Sequence, residues 1–165
     1  MRRHGKSDDA VIRMSSDVVD VLLSVVDDVE SLVADPALAG GHVARRLVPD
    51  AHRDDPDAEA DYRAVVGPQL REERSAAAAR MREGLLRAGG STAPDGDAKP
   101  VEVVLDPEEA EAWMITVNHA RLAIGTACGV TEDMALWDDS DPRAGQLAVY
   151  DLLTALLDHL VQQVG

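Results

Sequence analysis

Asp17-Val18-Val19-Asp20-Val21-Leu22-Leu23-Ser24-Val25-Val26-Asp27-Asp28-Val29-Glu30-Ser31-Leu32-Val33 is the stretch on which the fold turns. Its wealth of valine suggests a strand, because β-branched side chains favour the pleated conformation. The polar residues argue otherwise. Asp17, Asp20, Ser24, Asp27, Asp28 and Ser31 recur at spacings of three and four, which is one face of a helix and not an alternation. The segment is therefore predicted as an amphipathic helix, with Ser16 as its cap.

Four Asp-Pro pairs, Asp35-Pro36, Asp55-Pro56, Asp106-Pro107 and Asp141-Pro142, extend that reading along the chain. Asp accepts a bond from an orphan N–H at a helix start, and Pro at the first helical position gives up an N–H that has no partner there. They predict a short helical piece after Pro36, a helix from Pro56 to about Ala88 that is bent or broken at Gly67-Pro68, a helix from Pro107 to about Cys128, and a last one over Pro142–Val164. Gly129 suits the left-handed residue after a helix end. Only Ala10–Met14 and Val101–Leu105 read as strands, and two such short runs pair most economically with each other. The expected fold is mostly α: a helical bundle with a small two-stranded β ribbon, one domain over residues 1–165, a flexible N-terminus at 1–9 and a flexible loop at 89–100.

Composition bounds the function. The chain has 165 residues, 45% of them hydrophobic, which is enough for one domain with a core. No apolar run approaches the ~20 residues that cross a bilayer, and no signal-peptide core follows the basic start, so a cytoplasmic protein without membrane contact is expected. The net charge of −15 is unevenly spread: residues 91–165 carry 14 acidic and 3 basic side chains, whereas 61–90 carry 4 and 6. Such a surface disfavours DNA. Arg71, Arg74, Arg80, Arg82 and Arg87 form no continuous stripe on their helix, and four aromatic residues are too few for a base-stacking platform.

Catalytic and metal chemistry finds little footing. None of His4, His42, His52, His119 and His159 stands four residues from another, so no helix face offers paired imidazoles, and neither a metal nor a cofactor site is expected. Nucleophile and phosphate-binding motifs are missing too, so no catalytic set is assigned. Cys128 is the single cysteine and lies near a helix C-terminus, where the dipole disfavours a thiolate; packing is its expected role and redox chemistry the sharper alternative. Asn118 and Arg121, at i and i+3 with His119 beside them, form the one candidate ligand-binding group, with Asp133 or Asp141 as possible partners for the arginine. The last helix is apolar around more than one face. Leu153, Leu156, Leu157, Leu160 and Val164 are accordingly candidates for an interface, most simply that of a twofold dimer.

Three stretches carry a family likeness: Arg46-Leu47-Val48-Pro49-Asp50-Ala51-His52-Arg53-Asp54-Asp55-Pro56 leading to Tyr62-Arg63; Glu109-Ala110-Glu111-Ala112-Trp113 continuing to Asn118-His119-Ala120-Arg121-Leu122; and Gly125 to Gly129-Val130-Thr131-Glu132-Asp133 with Asp141-Pro142-Arg143-Ala144. Together they resemble the actinobacterial domain of unknown function 2017 family. The resemblance implies a cytoplasmic actinobacterial protein, often encoded near a protease adaptor and sulfur-metabolism genes, and members are described as oxidative-stress transcription regulators. A mechanism that needs two cysteines does not carry over, because Cys128 has no second thiol. The leading expectation is a non-enzymatic interaction or regulatory protein that recognises another chain or a second copy of itself. An oxidative-stress-linked transcription regulator is the runner-up, and a small-molecule-binding protein or enzyme using the Asn118/Arg121 region is third.

Overall fold

The computed structural model describes residues 8–35, 38, 40, 52, 54–89, 99–132, 134 and 136–164. In chain order these form β1 (Ala10–Ser15), α1 (Ser16–Ala34), α2 (Pro56–Gly89), β2 (Pro100–Leu105), α3 (Pro107–Ala127) and α4 (Ala144–Val164). The architecture is mostly α with a small antiparallel ribbon, as expected. β1 pairs with β2 from Ala10 opposite Leu105 to Ser15 opposite Pro100.

The valine-rich segment is helical, and its polar face is the solvent face. Asp17, Asp20, Ser24, Asp27, Asp28 and Ser31 are all exposed, while Val19, Leu22, Val25, Val26, Val29 and Val33 are buried. Each such buried side chain contributes on the order of 1.5–3 kcal/mol. The cap is Ser15, one residue earlier than expected, with its hydroxyl accepting from Val18 N at 3.4 Å. Ser16 is drawn away because its N–H bonds Lys99 O at 2.9 Å and its hydroxyl accepts from Lys99 N at 3.2 Å, joining the helix to the ribbon.

The Asp-Pro starts are borne out at Pro56 and Pro107. Asp106 and Glu109 close a reciprocal capping box, and Asp55 Oδ1 accepts from Ala58 N at 3.1 Å. α4 begins at Ala144, two residues later than expected, because Asp141 turns its carboxylate on Arg143 and Ala144 N donates to Asp141 O. α2 is not broken at Gly67-Pro68. It runs unbroken through Pro68, and the neighbouring Ala64, Val65, Pro68 and Gln69 are exposed, so the carbonyl that proline deprives of a donor can reach water. Gly89 belongs to α2, and Lys99 and Pro100 to the ribbon; the rest of the loop expected at 89–100, most of the piece after Pro36, and residues 1–7 of the N-terminus lie outside the described residues.

α1 and α2 run antiparallel: Gly89 near the end of α2 lies against Val19 near the start of α1, and Arg82 reaches Asp27 and Glu30 further along. α2 packs against α3 through Gly84, whose absent side chain leaves room for the indole of Trp113. Trp113 is fully buried at the centre of a core shared by Leu22, Met81, Leu85, Leu105 and Leu153. α4 lies on the other side of α3, where Gly125 admits the ring of Tyr150. α1 and α4 scarcely touch. That gap leaves an apolar surface between them.

Candidate functional site

On α3 the three residues expected to act together separate. Arg121 Nη2 donates to Asn118 Oδ1 at 3.3 Å, as the i, i+3 spacing allows. His119 is one residue from Asn118 and thus about 100° around the helix. It is buried, its Nε2 has no hydrogen-bond partner, and its pKa is lowered to about 4 by burial and then by the Arg74 charge. The imidazole is therefore neutral, turned towards α2 and away from Arg121. Arg121, with Gly125, Thr126, Thr131 and Tyr150, lines a cleft of about 350 Å³. Neither Asn118 nor His119 is among the residues lining it.

The expected ion pair between Arg121 and Asp141 is replaced by another. Asp141 is held by Arg143, Oδ1 to Nε at 3.0 Å and Oδ2 to Nη2 at 2.8 Å, and these bonds hold its carboxyl down at about 2. Two residues of one turn meet more cheaply than groups on different elements. Asp133 lies outside the described residues. Arg143 Nη1 also donates to Cys128 O at 2.6 Å, so one guanidinium both satisfies the carbonyl of the α3 cap residue and ties the start of α4 to it. Gly129 takes a φ of 68° directly after the cap, as the left-handed position requires.

Cys128 is buried, and its Sγ donates to Gln146 Oε1 at 3.2 Å. Burial pushes the thiol up, only partly offset by the Arg143 charge. Such a cysteine is a packed, protonated group and a poor nucleophile.

The interface residues expected on the last helix divide. Leu153, Leu156 and Leu160 are buried within the single chain, Leu157 is half-buried, and Val164 is exposed. The three buried leucines belong to the core cluster of the single chain, and Leu156 also lines an open groove. The apolar arc of α4 is wide because it meets the core on one side and an open groove on another.

That groove, about 530 Å³, lies between α1 and α4 over β1. Val18 and Leu22 line one wall, Leu152, Leu156 and His159 the other, and Met14 the floor. Its end is closed by polar groups from distant parts of the chain. Val11 N donates to Gln163 Oε1 at 2.6 Å, and Gln163 Nε2 donates to Val11 O at 3.0 Å. His159 Nε2 lies 2.9 Å from the same carbonyl. A carboxamide that gives and takes one bond with the same residue does what a neighbouring strand would do. Sequence reasoning missed this place. A signal was present, since Leu152, Leu156, His159 and Gln163 recur at helical spacing and turn from apolar to polar along one face.

Among the described residues no group of three His, Cys, Asp or Glu could hold a metal ion, and no helix is long and apolar enough to cross a membrane. Fold and site together define a small antiparallel helical protein with a terminal β ribbon and one flank open as an apolar groove. The chain matches the family model Domain of unknown function (DUF2017) over residues 1–164 and belongs to that family. No curated protein and no solved structure matches it.

Proposed function

We propose that this protein is a non-enzymatic cytoplasmic interaction or regulatory protein whose working surface is the open flank between α1 and α4. The observation that carries the reading is the groove itself, an apolar channel left where two helices scarcely touch. Concave apolar surface of this size costs free energy when it faces water, and a bound partner recovers it. The charge of −15 favours a protein partner over nucleic acid. A single, buried cysteine suits a reducing compartment.

A photo-reactive benzoylphenylalanine placed at Val18 or Leu152, on the two walls of the groove, tests the proposal in native cells. Val65, exposed on α2, is the control position. Adducts formed from the groove positions and not from Val65 are expected; adducts equal at all three, or none from the groove, would sink it. A second copy of the chain is one admissible partner, supported by the exposed Val161 and Val164 on α4. It is recognised by sedimentation equilibrium.

A second reading rests on Arg121. Its guanidinium contacts the neutral Asn118, has no carboxylate within ion-pair distance among the described residues, and lines the 350 Å³ cleft, which suits a small anionic ligand. The Nε of Arg121 is buried and has no hydrogen-bond partner among the described residues, and the groove, with its larger apolar walls, is the stronger site.

A further inference from the structure

We propose that the groove is a strand-addition site: an extended peptide pairs with the outward edge of β1 and takes over the two hydrogen bonds that Gln163 now makes to Val11. The inference rests on the interaction reading above and names the kind of partner. Among the described residues β1 has β2 on one side only. In an antiparallel pair, alternate residues turn both their N–H and C=O to the partner and the residues between them turn both away. Val11 is one that turns away, since both of its main-chain groups meet Gln163. Arg13, two residues further on, turns the same way. Its N–H and C=O therefore point from the edge toward the groove, where no side chain among the described residues takes the place that Gln163 fills at Val11.

An unpaired strand edge is a template for another backbone. Here the template runs beside the apolar walls. A peptide on this edge would send alternate side chains between Val18 and Leu152, while its amides pair with Arg13 and Val11. A helix entering the same groove would leave the edge unsatisfied, because its own backbone groups are already used. The Gln163 carboxamide, chemically a peptide group, shows that the Val11 position accepts one. Charge limits the sequence outside the groove. Asp17 and Asp158 are exposed next to the wall residues Val18 and His159, and Arg13 is already matched by Glu102 at 3.1 Å, so basic flanking residues fit best.

The test is a phage-displayed library of random nonapeptides panned against the full chain, followed by titration of synthetic copies of the recovered peptides. Recovered sequences should alternate apolar residues between basic ends. Methylating the peptide amides of one alternating set should weaken binding about tenfold for each bond removed, and methylating the other set should leave it unchanged. Arg13→Pro should abolish binding without lowering the melting temperature, because the lost N–H points away from β2 and proline is tolerated on a strand edge. Gln163→Ala removes the carboxamide that occupies both Val11 groups, leaving only His159 Nε2 at the Val11 carbonyl, and should tighten binding roughly threefold. Recovered peptides that bind Arg13→Pro as well as wild type, or that respond alike to methylation at every amide, overturn strand addition. If the library yields nothing while groove cross-links still form, strand addition fails and the interaction surface stands; if both are silent, the broader reading fails as well.

Discussion

Where α1 meets α2, Gly89 leaves room for Val19 and Arg82 reaches across to Asp27 and Glu30; where α1 faces α4, nothing comparable closes the gap and an apolar groove of about 530 Å³ remains. The α2–α3 seam is closed in the same manner as the first, with Gly84 against Trp113. Helix axes approach closely where small residues allow one side chain to seat against the opposite backbone. The α1–α4 flank has Leu152 and Leu156 facing Val18 and Leu22, apolar enough to pack, yet β1 lies between the helix ends. A flank that is sticky and unfilled is the natural place for a partner.

The contrast predicts a graded set of responses, and the largest belongs to α4. Leu160→Asp buries a carboxylate in the closed core and should cost about 4 kcal/mol or more, enough to unfold a domain of ordinary stability, whereas Val161→Asp, on an exposed neighbour, should cost under about 0.5 kcal/mol. Urea denaturation of the two variants decides. Comparable stabilities would mean that Leu160 does not belong to the monomer core.

Acid should act next, and through the closed α2–α3 seam. A histidine whose pKa is about 4 when folded and 6.5 when unfolded binds fewer protons in the folded state. Its contribution is complete above about pH 6.5 and is lost as the pH falls towards 4, to a total of up to about 3 kcal/mol. The difference in stability between pH 7 and pH 4.5 should shrink in His119→Phe. An unchanged difference would assign the acid sensitivity to other groups.

Gly84→Leu probes the same seam by steric means. A β-carbon at position 84 already falls 3.3 Å from Trp113 Nε1, so a larger side chain must displace the indole, at about 2 kcal/mol. Val18→Ser and Leu152→Ser, on the open flank, should each cost less than that. A groove variant as damaging as Gly84→Leu would show that the flank is closed in solution. The smallest effect is expected of Arg82→Ala. Its partners raise the arginine's pKa, but Asp27 is largely exposed, so the loss should be under about 1 kcal/mol and should fade in high salt.

Much of the helical architecture was legible because its signals are local. The six polar residues of α1 fall on its exposed face, and Asp55-Pro56 and Asp106-Pro107 start helices where they stand. The reading failed by one or two residues where a distant or competing partner intervened, at Ser16, which bonds Lys99, and at Asp141, which holds Arg143. In the candidate site it paired Arg121 with Asn118 but did not show where His119 turns. Asn118, His119 and Arg121 are close in sequence, but 100° per residue sends His119 to the α2 seam and Arg121 to the Tyr150 cleft.

What the sequence by itself determined about this protein is therefore its helices and ribbon strands, the caps at Asp55 and Asp106, and the burden of negative charge. These depend on residues within about four positions of one another, or on composition, and both are visible in a linear chain. Tertiary structure alone decided which flanks close. Gly84, Gly89 and Gly125 look alike in sequence, and only packing gives them Trp113, Val19 and Tyr150 as neighbours. Val11 and Gln163, 152 residues apart, meet at the open end of the groove because α4 returns along the bundle to β1, a result of chain topology that no local pattern encodes.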